Sequence, residues 1–249
     1  MAFHNVLRSA RHPITRWALL VICAFLGLQL FFLTKIALMA RIAPESTAFE
    51  RSQAWQIFQS KQRLPWRQTW VPYNKISDQL KRAVIASEDD IFAQHDGVQW
   101  EAIEKAWTKN AKAELQASRA AQKNPVVKVV GGSTITQQLA KNLFLAGERT
   151  FLRKGQEFVL TLMLEALLDK QRILELYLNH VEWGEGIFGA EAAAQHYFSK
   201  SAYQLSAWEA GRLAVMLPRP KHYQKFPLSE YLAGRTEIIL TRMPRAQLP

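Results

Sequence analysis

From Trp17 to Leu33 the chain carries seventeen residues without a charge, and after Thr34 and Lys35 the apolar pattern resumes over Ile36 to Ala40. At 1.5 Å per residue, Trp17 to Ala40 predicts about 36 Å of helix, enough to cross a bilayer core with some tilt, with Lys35 snorkelling to the interface. Ala43 to Lys75 is polar, carries Trp55, Trp66 and Trp70, and is broken by Pro44, Pro65 and Pro72, which predicts irregular structure with short helices. The three tryptophans suit either a membrane interface or one edge of a core. From Ser77 onward Leu80, Val84 and Glu88 recur every four residues, so a helix is expected whose apolar face ends in a carboxylate. Glu101 to Ala121 has helical character and is broken at Gln122 to Pro125; a mobile loop near Lys112 to Lys128, close enough to a site to act as a lid, is expected. Thr134 and Gln137 have capping-box spacing, which starts a helix at Ser133 or Thr134. On that helix Ile135, Leu139 and Leu143 share one face, and Thr134, Gln138 and Lys141 another. Phe158 to Leu168 is apolar nearly all round, as a buried central helix should be, and Ser206 to Leu217 reads as a further helix stopped by Pro218 and Pro220. Gly184, Gly186 and Gly189 form a turn with no strand before it, so a nucleotide loop is not expected there. Two-residue alternation is scarce, and the fold class expected is mostly α.

These patterns divide the chain into a cytoplasmic N-terminus (1–16), a transmembrane anchor (17–40), a connector (41–75) and a domain (76–249), with room for one enzyme and not two. Arg8, Arg11 and Arg16 precede the apolar run and no acid occurs before Glu45, so the positive-inside rule leaves the N-terminus in the cytoplasm and the domain outside. A cleaved signal peptide is the rival reading, disfavoured by the length of the run and the lack of an A-x-A site. Cys23 is the only cysteine, which rules out an intrachain disulfide. Setting aside Arg8, Arg11, Arg16 and Lys35 leaves 28 basic residues against all 21 acidic ones, so residues 41–249 still carry +7. A basic domain beside a bilayer attracts anionic head groups and diphosphates; no nucleic-acid recognition motif accompanies the charge.

The chemistry concentrates in four segments. Gly131-Gly132-Ser133-Thr134-Ile135-Thr136-Gln137-Gln138-Leu139-Ala140-Lys141-Asn142 joins a glycine pair, a helix start and a polar stripe, suiting an anionic ligand at free N–H groups; an ordinary capped helix fits the spacing as well. Glu88-Asp89 to Gly97 has the form E-D-x-x-F-x-x-H-x-G, Arg153 to Glu157 the form R-K-x-x-E, and Lys170 to Asn179 the form K-x-x-I-L-E-x-Y-L-N. Burial of Glu88 on an apolar face raises its proton affinity towards the range of a general base, although a helix-end salt bridge is the bland alternative. Lys141, Arg149, Arg153 and Lys154 could grip phosphate oxygens or form a solvated face. His95 is expected to brace its loop, with Gly97 at positive φ, and no H-E-x-x-H pattern or cysteine cluster suggests structural zinc.

In order and spacing the four segments resemble the family 51 glycosyltransferases, which polymerise lipid II into peptidoglycan, over about Trp70 to Pro220. The resemblance implies a lysozyme-like helical domain behind one transmembrane helix, with Glu88 and Glu157 catalytic. Asp89, Phe92, Ser133, Thr134, Gln137, Gln138, Lys141, Asn142, Arg149, Arg153 and Lys154 would bind substrate. It implies further that Glu157 helps position the donor diphosphate, directly or through an assisting Mg or Mn ion; Asp89 could hold such an ion, support Glu88 or simply cap local backbone. Partners implied are lipid II, the growing lipid-linked glycan, the membrane and other cell-wall synthesis or division proteins, at the cytoplasmic membrane with the domain on its outer face. Neither S-x-x-K nor K-T-G occurs, so no transpeptidase is expected. A glycan-cleaving enzyme could share the fold and a catalytic glutamate but has little use for the cations from Lys141 to Lys154; a non-catalytic membrane scaffold is the third reading.

Overall fold

A computed structural model describes residues 13–100, 108, 133–145 and 150–249. Arg149 and the loop expected near Lys112 to Lys128 lie outside these residues, as does nearly all of Glu101 to Ala121. The chain divides into two compact units, the first ending at Ala43 and the second beginning at Pro44.

The first unit contains helix α1 (Pro13–Met39), 27 residues long and about 40 Å by helical rise. Trp17, Val21, Phe25, Leu26, Leu30 and Phe31 are exposed along it, the surface a lipid-facing helix presents. It is long and apolar enough to cross a membrane, and it starts four residues before the predicted Trp17.

The second unit opens with α2 (Ala48–Lys61). Its start is closed by a capping box in which Glu50 N donates to Thr47 Oγ1 at 3.0 Å and Thr47 N donates to Glu50 Oε2 at 2.7 Å. Strand β1 (Arg67–Gln68) follows, and Trp66 stacks on Phe188 with centroids 4.5 Å apart. Residues 44–75 are therefore part of the domain, a correction to the predicted connector. Their hold rests on two ladder positions, aromatic contacts and long-range polar pairs such as Glu50 with His180 and Val71 N with Asn179 Oδ1, none of which produces hydrophobic periodicity. Trp66 and Trp70 cover a core edge, whereas Trp55 is exposed.

Helix α3 (Asp78–Glu88) is capped by Ser77 and buries Leu80, Ala83, Val84 and Ile85. After the described gap come α4 (Ile135–Phe144), α5 (Phe151–Leu167) and α6 (Lys170–His180). Strands β2 (Glu182–Gly184) and β3 (Ile187–Phe188) complete a small sheet of order β1-β3-β2, parallel between β1 and β3 and antiparallel between β2 and β3. Helices α7 (Ala190–Phe198), α8 (Ala207–Met216), α9 (Pro220–Lys225) and α10 (Glu230–Arg242) finish a mostly α fold. Two packing groups result: α3 lies against α8 and α10, while α4 lies against α2, α5 and α6. The fully buried Trp183 ties β2 to α8 by donating from Nε1 to the Leu213 carbonyl at 3.0 Å. Helix α5 departs from the expected all-round burial. Its inner face carries Glu157, Leu160, Thr161 and Leu164, whereas Leu162 is 45% exposed.

Two glycines test this architecture from opposite directions. Gly186 has φ +73, and a Cβ there would stand 2.0 Å from the Pro65 carbonyl oxygen, whereas a Cβ at Gly155 within α5 meets nothing within 4 Å. Gly186→Ala should lower the unfolding free energy by about 2–4 kcal/mol. Gly155→Ala should leave it unchanged or raise it by about 0.5–1 kcal/mol. Urea unfolding of the detergent-solubilised protein, followed by tryptophan fluorescence, measures both.

Candidate active site

The end of α3 and the start of α4 are joined by one carboxylate. Asp89 is the C-cap of α3 and is buried; its Oδ2 accepts from Ile135 N at 3.0 Å, and its Oδ1 from His95 Nε2 at 2.8 Å and from Gln99 Nε2. His95 Nδ1 accepts from Gly97 N at 3.0 Å, which places the imidazole hydrogen on Nε2, facing Asp89. Gly97 has φ +80, and a Cβ on it would meet Glu165 Cγ at 2.7 Å, so only glycine fits. Thr134 Oγ1 donates to the Gly97 carbonyl at 2.7 Å and accepts from Gln137 N at 3.1 Å, while Gln137 Oε1 accepts from Thr134 N at 3.2 Å.

The predicted capping box is thus present, but its proposed use is not. The anion held at the start of α4 is the chain's own Asp89, and the N–H groups of Ile135 and Gln137 are taken. Thr134, 2% exposed, and the buried Gln137 close the helix end, with their polar groups engaged there. Phe92 is likewise corrected from substrate contact to core: it is fully buried, with Lys170 Nζ 4.6 Å from its ring centroid. Ser133 is exposed just before the cap, and Asn142 is buried on α4.

Glu88 is the last residue of α3, part-buried, with Oε2 accepting from Gln138 Nε2 at 2.9 Å. Burial drives its pKa above the ordinary carboxylate value and the neighbouring Asp89 adds to this, while hydrogen bonds from Gln138 and Ser87 and the Lys141 charge oppose it. Its place at the negative end of a helix acts in the same direction as burial. Gln138 is held in turn by Tyr177, whose hydroxyl donates to Gln138 Oε1 at 3.0 Å. Lys141, one turn further along α4, keeps solvent contact, yet burial under surrounding chain lowers its pKa. Glu157 and Glu88 oppose that shift and Arg153 and Lys154 reinforce it, so Lys141 lies within electrostatic reach of both carboxylates.

Glu157 is 3% exposed on the inner face of α5. Arg153 Nη1 donates to its Oε2 at 3.0 Å and Lys154 Nζ pairs with its Oε1. An unpaired carboxylate so deep would cost several kcal/mol, on the order of 2–7 kcal/mol for even a neutral polar group, and the two cations offset that burial. Arg153 and Lys154 are therefore not free ends: Glu157 fixes both heads, while Arg153 Nε is buried without a hydrogen-bond partner among the described residues.

These engagements bear on a divalent ion. The described residues contain no group of three or more His, Cys, Asp or Glu side chains that could hold a metal. Asp89 has its oxygens directed at His95, Gln99 and Ile135, and Glu157 has each oxygen on a cation. The pair named for Mg or Mn thus does not fit that role. The sequence reading also passed over Tyr177 and Gln99 as site residues; Tyr177 stood inside the K-x-x-I-L-E-x-Y-L-N segment, whereas Gln99 carried no signal.

A helical domain with a part-buried glutamate within electrostatic reach of cations suits acid–base chemistry on an anionic substrate. A family profile described as Transglycosylase matches residues 56–244. Relatives named "Biosynthetic peptidoglycan transglycosylase" align along nearly the whole chain. One from Burkholderia thailandensis is 49% identical over 247 residues, covering 97% of this chain and 91% of that protein. One from Janthinobacterium sp. is 52% identical over 234 residues, covering 94% and 96%. A third, from Burkholderia orbicola, is 46% identical over 254 residues, covering 100% and 98%. The chain belongs to the transglycosylase family and is a glycosyltransferase.

Removing the Asp89 carboxylate strands several buried donors, each at a cost of about 1–3 kcal/mol. Asp89→Ala should therefore lower the melting temperature sharply and reduce turnover with it. Millimolar Mg or Mn should leave the wild-type melting temperature unmoved in a thermal scan, since neither carboxylate is available to the ion.

Proposed function

We propose that this chain polymerises lipid II into peptidoglycan glycan strands, with Glu88 as general base. The 4-hydroxyl of the N-acetylglucosamine on an incoming lipid II gives its proton to Glu88 and its oxygen attacks the anomeric carbon of the lipid-linked donor strand. A β-1,4 bond forms with inversion as the bond to the diphosphate breaks, and polyprenyl diphosphate leaves. The single observation behind this reading is the juxtaposition of a carboxylate whose pKa is raised by burial with Lys141, Arg153 and Lys154. The carboxylate's raised proton affinity suits it to accept the proton, and the cations can meet the negative charge that grows on the departing diphosphate. The names of the relatives support the substrate class. A glycan-cleaving enzyme needs the glutamate but not the cations, which favours synthesis.

Glu157 works through the cations, holding Arg153 and Lys154 where they face the diphosphate. Arg149 would add to this group. The expected divalent ion has no protein donor set among the described residues, so charge relief is assigned to the three cations. Helix α1 anchors the domain to the membrane. Arg8, Arg11 and Arg16 around its start, with no acid there, support an N-terminus in the cytoplasm and a domain on the outer face, where lipid-linked precursors and other cell-wall synthesis proteins are met.

Glu88→Gln keeps the shape and removes the proton acceptor, so polymer formation from lipid II should fall to a few per cent of wild type or less; a gel assay of glycan products reads this directly. The same substitution carries a stability signature. A folded-state pKa above the unfolded value means that the folded protein binds the proton more tightly, so stability is present in acid and is lost as pH rises through the folded-state value. Above the folded-state value ionised Glu88 therefore costs stability, and there Glu88→Gln should melt no lower than wild type, with its advantage vanishing in acid. Lys141→Ala should lower kcat/KM roughly ten- to hundred-fold, the size of a lost charge-assisted contact, and weaken a diphosphate-mimicking phosphoglycolipid inhibitor in parallel.

A further inference from the structure

The Gln138 amide has two ends of nearly equal shape and opposite chemistry, so its partners decide which way it points. Nε2 donates to Glu88 Oε2 at 2.9 Å, and Oε1 accepts from the Tyr177 hydroxyl at 3.0 Å. Tyr177 is 1% exposed. Burial, and after it the charges of Glu88 and Asp89, push its phenol well above the ordinary value, so the hydroxyl keeps its hydrogen at any working pH. The hydroxyl oxygen can also accept, but its hydrogen has no other acceptor among the described residues, so Oε1 on that side is the arrangement that uses it. The amide hydrogens are thereby turned to Glu88.

We propose that Tyr177 is a positioning residue for the base: by donating to Gln138 Oε1 it locks the amide so that Nε2 holds the Glu88 carboxylate aimed and ionised. This rests on the reading of Glu88 as the base. Were the hydroxyl absent, the amide could turn over and present Oε1 to Glu88. A carboxylate is repelled by that oxygen, whereas a carboxylic acid donates to it, so the flipped amide favours the protonated form that cannot accept the substrate proton. The other groups facing Glu88 are unaffected by the exchange. Asp89, adjacent in the chain, is bound to His95, Gln99 and the Ile135 N–H. Lys141 from α4 acts on Glu88 by charge alone, with Glu157, Arg153 and Lys154 of α5 around it. Ser87 donates to Glu88 Oε1 at 3.3 Å, with the Ala214 carbonyl of α8 a longer alternative acceptor at 3.5 Å.

If Tyr177 were only a core side chain, phenylalanine would replace it without consequence. The decisive variant is therefore Tyr177→Phe in the full-length detergent-solubilised protein, assayed on lipid II across pH. Loss of the lock should lower kcat about ten-fold, as for a hydrogen bond to a charged group, and move the acid limb of the kcat profile to higher pH. KM for lipid II and the affinity for a phosphoglycolipid inhibitor should stay within about two-fold of wild type, since no substrate contact is lost. Because Tyr177 acts only through Gln138, adding Tyr177→Phe to Gln138→Leu should cost nothing more. A kcat for Tyr177→Phe within about two-fold of wild type at every pH overturns the proposal, as does a loss that multiplies with that of Gln138→Leu or a KM that rises as kcat falls. The two readings fail separately: an active Glu88→Gln removes the base, whereas an inactive Glu88→Gln beside a fully active Tyr177→Phe removes only the lock.

Discussion

A carboxylate without water must have its lone pairs occupied, and Asp89 meets that demand with donors from three places in the chain: Ile135 N, His95 and Gln99. The rest of the site follows from this one interaction. Binding Ile135 N brings the start of α4 to the end of α3, and Gln138, three residues along α4, then meets Glu88, one residue before Asp89. Tyr177 on α6 reaches Gln138 because α6 packs on α4. The E-D-x-x-F-x-x-H-x-G and G-G-S-T-I-T-Q-Q segments are thus two halves of one hydrogen-bonded joint, and most of their polar residues serve the joint.

Only a few side chains are then left for chemistry, and they sit in electrostatic tension. Burial raises the pKa of Glu88 and lowers that of Lys141, so each is less firmly charged than it would be in water. Glu157, deeper still, has two cations to itself. The contrast separates the two carboxylates by role. One suits the proposed proton acceptor; the other is paired with two cations.

Much of this was legible from spacing. Thr134 with Gln137, Ser77 before Leu80, and Ser206 before Ala207 each announced a helix start that is present. The apolar face ending at Glu88 correctly forecast a desolvated carboxylate. What spacing could not show was the destination of a polar group: Thr134, Gln137, Asp89 and Phe92 look like ligands in a motif, yet three serve backbone groups and one fills the core. The sheet escaped notice because strands of two or three residues carry no alternation. The inclusion of residues 44–75 escaped too, since it depends on pairs such as Glu50 with His180, 130 positions apart. For Tyr177 the letter was visible but its partner across 39 positions was not.

The bond from Thr134 Oγ1 to the Gly97 carbonyl joins residues 37 apart in sequence. With Asp89 holding Ile135 beside it, the chain is clasped on both sides of everything between Gly97 and Thr134. Closing a loop costs only about 0.6 kcal/mol more for each doubling of its length, so the clasp tolerates insertions there at little energetic cost. The position of Glu88 is thus tied to the clasp itself and not to the number of residues the clasp closes over.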